Sequence, residues 1–135
     1  MNDKRDAALD AFLALVGDKG FSVVTLRDVA QPAGLSFAEL YALFPDKASL
    51  VAAFLARIDD IVLTGTPTAV DPEETARDRL FDVMMRRYDG LGPHRPFLRA
   101  LRRAMTADPI LALSLGLALR RSMAAMLEAA AIPAD

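Results

Sequence analysis

Residues 25–47 read TLRDVAQPAGLSFAELYALFPDK, and the fold turns on how this stretch divides. Thr25 is followed three residues later by Asp28, and Ser36 three residues later by Glu39. Both are capping-box patterns: a hydroxyl accepts from the third backbone N–H of a helix and an acid reaches back to the first. Two helix starts are therefore predicted. Pro32 and Gly34 favour a turn between them, and Pro45 ends the second helix. Leu26 and Val29 on one helix, with Leu40 and Phe44 on the other, can make a small core that fixes the angle of the pair. Two short helices on a tight turn form the arrangement that lays a helix in a nucleic-acid groove.

Outward from this hairpin the helical periodicity continues in both directions. Ala8, Leu9, Phe12, Leu13 and Val16 predict a first helix from Asp3 to Lys19, stopped by Gly20. Asp46 can cap a fourth helix that runs through Leu50, Phe54 and Ile58 to about Leu63. The segment GTPTAVDP, 65–72, reads as a linker. After it, Asp71-Pro72 predicts the start of a fifth helix, GLGP breaks that helix at Gly90, a sixth spans Pro93 to Ala107, and Asp108-Pro109 starts a seventh. Strand alternation and internal repeats are lacking. The reading is all-α: a helix-turn-helix head over residues 1–64 and a helical dimerisation or ligand-type body over 71–135.

Composition narrows the functions available. The chain of 135 residues has no cysteine, which excludes disulfide scaffolds, cysteine-ligated zinc and thiol nucleophiles. It has one histidine and no Gly-rich phosphate loop or metal-ligand spacing, so neither an enzyme nor a cofactor or catalytic or metal site is expected. The acidic N-terminus does not read as a signal peptide, and the apolar run ILALSLGLAL at 110–119 is shorter than a bilayer span, so no transmembrane segment and a cytoplasmic setting are expected.

Gly20-Phe21, Thr25, Arg27-Asp28-Val29-Ala30, Ala33-Gly34-Leu35-Ser36, Leu40-Tyr41 and Phe44-Pro45-Asp46-Lys47 together resemble the N-terminal region of the TetR family of bacterial transcriptional regulators, over roughly residues 5–60. That resemblance implies a third helix entering the major groove, with Phe37, Ala38 and Tyr41 on its DNA-facing side and Ser36 at its start. It also implies phosphate contacts from Thr25, Arg27, Tyr41 and Lys47. A repressor binding a palindromic operator as a homodimer follows, with double-stranded DNA as partner and a small hydrophobic effector or lipid as the ligand class. Leu111, Leu115, Ala118, Ser122 and Met126 recur at about four-residue spacing on the last helix and are the expected dimer stripe.

The residues also depart from the family's pattern. Up to Arg57 there are six basic residues against seven acidic ones, and Phe37, Glu39 and Ala42 stand where lysine, threonine and histidine are common. Glu39 is read as capping its own helix. Phe37 is read either as contacting a thymine methyl or as part of a protein-facing surface. Pro32, late in the second helix, is a further departure, and residues 71–135 are read either as a truncated piece of the family's usual body or as a minimal one. Arg95, Arg99, Arg102 and Arg103 form a basic stripe, read as a solvated face or an anion site, and His94 is read as a surface residue. The methionines at 84, 85, 105, 123 and 126 are read as core rather than pocket lining. An alternative keeps the fold but not the function: the COQ9-like proteins of ubiquinone biosynthesis bind lipid and a partner enzyme, and a depleted reading helix with an apolar last helix suits that class.

Overall fold

The computed structural model describes residues 3–67 and 69–132. Seven helices follow in order: α1 (Asp3–Lys19), α2 (Leu26–Ala33), α3 (Phe37–Leu43), α4 (Lys47–Thr64), α5 (Ala76–Leu91), α6 (Arg95–Ala107) and α7 (Pro109–Ala129), with a 3-10 turn at Gly92–His94 before α6. No strand occurs among the described residues. The all-α reading holds.

Short side chains set most of the helix starts. Asp46 Oδ1 accepts from the Ser49 N–H at 2.8 Å, and Asp108 Oδ1 accepts from the Ile110 N–H at 3.1 Å, so both acids cap as expected. The fifth helix starts later than Asp71-Pro72 predicts. Asp71 Oδ1 instead closes a turn on the Glu73 N–H at 2.9 Å, and Thr75 caps α5 by accepting from the Asp78 N–H at 3.1 Å. The sixth helix also starts late, at Arg95, because residues 92–94 are taken up by the 3-10 turn.

The chain forms two compact units, Met1–Phe54 with His94–Leu115, and Leu55–Pro93 with Gly116–Asp135. This differs from the division at the 65–72 linker. The cause is visible in the first unit, where α1 needs a cover for its apolar face and α6 supplies it. Phe12 of α1 meets Phe97 of α6 edge-on at 5.7 Å, Phe97 meets Phe54 at 5.0 Å, and Phe12 meets Phe21 at 6.2 Å. Such edge-to-face contacts add about 0.5–1.5 kcal/mol per pair beyond burial. Gly17 permits the close approach, since a Cβ there would stand 3.2 Å from Pro96 Cβ. His94, expected at the surface, is half-buried with its ring 5.0 Å from Phe54 in a T-shaped contact.

In the second unit Val62, Val83, Met126 and Ala130 form a core, with Leu80, Met84 and Met123 packed on it. A buried polar group lies in the same unit. Arg87 Nη1 donates to Asp59 Oδ1 at 3.1 Å and to Ser122 Oγ at 2.7 Å, and the Ser122 hydroxyl donates to Asp59 Oδ1 at 2.6 Å.

The expected dimer stripe on α7 faces inward. Leu115, Ser122 and Met126 are 4%, 2% and 0% exposed, and Leu111 and Ala118 are half-buried. These residues are occupied by their own chain, while Ile110 and Leu113 are 78% and 74% exposed. At 21 residues and mean hydropathy 1.5, α7 is long and apolar enough to cross a membrane by length and composition, so the expectation drawn from residues 110–119 counted too short a segment. The core helix of a soluble protein passes the same test.

Removing one member of the polar group strands a buried charge, which is the expensive way to break an ion pair. Asp59→Ala should lower unfolding stability by about 3 kcal/mol in urea. Asp59→Asn, which keeps an acceptor for Arg87, should lose clearly less.

Candidate nucleic-acid interface

The hairpin of α2 and α3 is built as its caps predict. The Thr25 N–H donates to Asp28 Oδ2 at 2.9 Å and Thr25 Oγ1 accepts from the Asp28 N–H at 3.2 Å. The Ser36 N–H donates to Glu39 Oε1 at 3.0 Å and Ser36 Oγ accepts from the Glu39 N–H at 3.1 Å. Between the boxes Gly34 takes φ +73°, a left-handed conformation, and the Leu35 N–H donates to the Ala30 carbonyl at 3.0 Å. A side chain at 34 would strain that turn. Val29, Ala30, Leu40 and Phe44 are buried beneath the pair, and Leu26 is half-buried.

One face of α3 is left in water. Ser36, Phe37, Ala38, Tyr41 and Ala42 are all exposed, Phe37 at 47% and Tyr41 at 55%, and the two rings stand 6.3 Å apart at 34°. Thr25 and Arg27 are exposed at the start of α2, where Arg27 and Lys19 line one open groove with Phe37 at its rim. Six of the seven expected DNA-binding residues therefore lie on accessible surface of one hairpin.

Lys47 is different. Its Nζ donates to the Phe21 carbonyl at 2.7 Å and sits 4.4 Å from the Phe21 ring centroid, and burial lowers its pKa below the ordinary lysine value. The ammonium is anchored to the head's own loop, which gives it a structural role beside the phosphate contact expected of it.

Glu39 has a second partner that local pattern does not reveal. Lys4 Nζ donates to Glu39 Oε2 at 2.9 Å, tying the start of α1 to α3. The Lys4 ammonium, with the Ser36 N–H, holds the carboxyl down at about 2. Asp28 is also lowered, first by the Thr25 N–H. A sequence separation of 35 hides the Lys4 contact from any periodic reading.

The charge balance depends on which residues make up the unit. Residues 1–54 carry five basic and seven acidic side chains, but the unit also holds 94–115, which brings nine basic against eight acidic. The gain is the arginine stripe of α6, where Arg99, Arg102 and Arg103 are exposed. In the second unit a cleft of about 110 Å³ is lined by Glu74, Arg79, Asp82 and Arg86 among others, well below the ~300–1,000 Å³ of common ligand pockets. Burial and the neighbouring Asp82 raise the Glu74 carboxyl.

Residues 8–54 match the family model described as bacterial regulatory proteins, tetR family. A curated relative, the HTH-type transcriptional repressor KstR of Rhodococcus jostii (strain RHA1), is 40% identical over 55 residues, which is 41% of this chain and 26% of that protein. The chain thus spans about a quarter of the length of that relative. Among solved structures, the TetR transcriptional regulator from Nitrosomonas europaea ATCC 19718 superposes with a TM-score of 0.77 at 24% identity, covering 93% of this chain and 72% of its own. A TetR transcriptional regulator from Rhodococcus sp. RHA1 gives 0.67 at 25% identity, covering 99% and 72%.

Two measurements check these assignments. Lys47→Ala should cost about 1 kcal/mol in urea unfolding through its lost carbonyl and ring contacts, while Arg27→Ala at the surface should stay within about 0.5 kcal/mol. Because the Glu39 carboxyl is depressed from its ordinary 4.5 to about 2, it favours the folded head above pH 4.5 and loses that contribution as pH falls toward 2. Carboxyl NMR should find it titrating near 2, and Lys4→Met should move it up toward 4.5.

Proposed function

We propose that this chain, whose residues 8–54 match the model of the tetR family of bacterial regulatory proteins, is a TetR-type DNA-binding transcriptional repressor that grips a palindromic operator as a homodimer. The exposed face of α3 carries this reading. A short helix fixed by two capping boxes and a left-handed glycine, with Phe37, Ala38 and Tyr41 in water, is shaped to enter a major groove about 12 Å wide. Thr25 and Arg27 flank it as phosphate ligands, and Ser36 completes the edge. Lys47 contributes by holding the loop at Phe21 in place.

A dimer pairs two heads and doubles a modest set of phosphate contacts. In place of the inward-facing stripe, the exposed Ile110 and Leu113 of α7 offer apolar surface for a second copy. Repression, a cytoplasmic setting and control by a small hydrophobic effector fit the same reading. The COQ9-like alternative finds no support in the relatives, which are described as regulators.

Binding should be measured on the DNA upstream of the chain's own gene across a salt series. Sequence-specific binding that weakens steeply with salt is expected, and Arg27→Ala should weaken it evenly across sequences while reducing the salt slope by about 1 per head. Binding indifferent to sequence and salt, with a co-purified lipid, would favour the alternative.

A further inference from the structure

The chemistry of the α3 surface goes beyond a general statement that the head binds DNA. Base edges in the major groove are told apart by hydrogen bonds to guanine, adenine and cytosine and by apolar contact with the C5-methyl of thymine. Reading guanine takes Arg or Lys, and reading adenine takes Asn or Gln. The sequence of α3, FAELYAL, contains none of the four.

Its one charged group is already committed. Glu39 Oε1 accepts from the Ser36 N–H at 3.0 Å and Oε2 from Lys4 Nζ at 2.9 Å, so both oxygens are engaged by the head's own donors. Apart from the Tyr41 hydroxyl, what α3 presents to a groove is mostly hydrocarbon: the Phe37 ring, the Tyr41 ring 6.3 Å from it, and the methyl groups of Ala38 and Ala42. Leu40, on the opposite side, is fully buried, so the helix cannot rotate to offer another face without losing its core contact. This surface is continuous with the flanking Arg27, whose groove has Phe37 at its rim.

We propose that Phe37, seconded by Tyr41, reads the operator by apolar contact with thymine C5-methyl groups, so that thymine is the base this head distinguishes directly. The proposal rests on the regulator reading above. It is a readout by shape and burial: the methyl is taken out of water against the Phe37 ring, and a cytosine amine placed against that ring would lose water without gaining an acceptor from it. Sequence preference at neighbouring positions then follows from groove shape more than from hydrogen bonding.

The test uses the full chain and a randomised duplex library, from which bound sequences are selected at low salt. Thymines of the selected half-site are then replaced one by one with deoxyuracil, which pairs identically but lacks the methyl. At one or two positions per half-site the replacement should weaken binding about fourfold, the equivalent of about 0.8 kcal/mol for one methyl-sized group. Phe37→Ala should bind the thymine and uracil duplexes equally, and Phe37→Leu, which keeps an apolar contact, should retain part of the difference. Because Phe37 is half exposed, its truncation should leave the helical circular dichroism and the urea midpoint nearly unchanged. Sequence-specific binding that ignores every uracil replacement, or that keeps its methyl preference in Phe37→Ala, overturns the thymine reading and leaves the regulator standing. Failure to select any DNA sequence overturns both and turns the aromatic pair into a protein-facing surface.

Discussion

A helix of seven residues has no stability of its own in water, because closing the first turn costs more than the few later hydrogen bonds return. Everything the head does depends on α3 existing at all, and three devices make it exist. The Ser36–Glu39 box satisfies two orphan donors at its start, the left-handed Gly34 brings α2 and α3 close enough to share Leu40 and Phe44, and those two side chains are buried. Each contributes on the order of 1–3 kcal/mol. None of the three draws on the outward face, so Phe37, Ala38 and Tyr41 are free of structural duty. The Lys4–Glu39 bond adds a tether to α1 and also offsets the one negative charge on α3.

The acidity of the first 57 residues runs against the proposed polyanion partner, and the unit boundary softens the conflict. α6 is not a piece of the body: Pro96 and Phe97 seat it on α1, and its arginines count with the head. The unit is then basic by one rather than acidic by two. That is still a weak electrostatic footprint, and the proposed regulator would therefore depend more on the apolar surface of α3 for discrimination and on a second copy for affinity.

What was legible in the sequence was local. Capping boxes span three residues, apolar periodicity spans a turn or two, and both survive folding unchanged; hence the number and order of helices and the hairpin turn are legible directly, while the outward face of α3 comes only from the family resemblance. Contacts between distant positions were not. Lys47 looks like a surface cation until Phe21 is brought beneath it, Lys4 is 35 residues from Glu39, and His94 gains its ring contact only when α6 meets α4 at Phe54. Asp71-Pro72 has the chemistry of a helix start, yet Thr75 outcompetes it because its hydroxyl reaches the Asp78 N–H.

The α7 stripe shows why periodicity alone misassigns a face. Leu111, Leu115, Ala118, Ser122 and Met126 do lie on one side, but Ile110, Leu113 and Leu117 are equally apolar, and hydropathy cannot say which side turns inward. The deciding residue is the polar one. Ser122 bridges Arg87 and Asp59, both nearly out of water, and a buried charge pair tolerates little loss of its hydrogen-bond partners. Sliding α7 by one turn would bring Ala118 or Met126 to that point, neither of which can replace the hydroxyl. An apolar stripe by itself would permit such slippage at small cost. The triad therefore adds more to the register of the second half of α7 within the second unit than to its gross stability, and a serine in an apolar stripe marks the inward side.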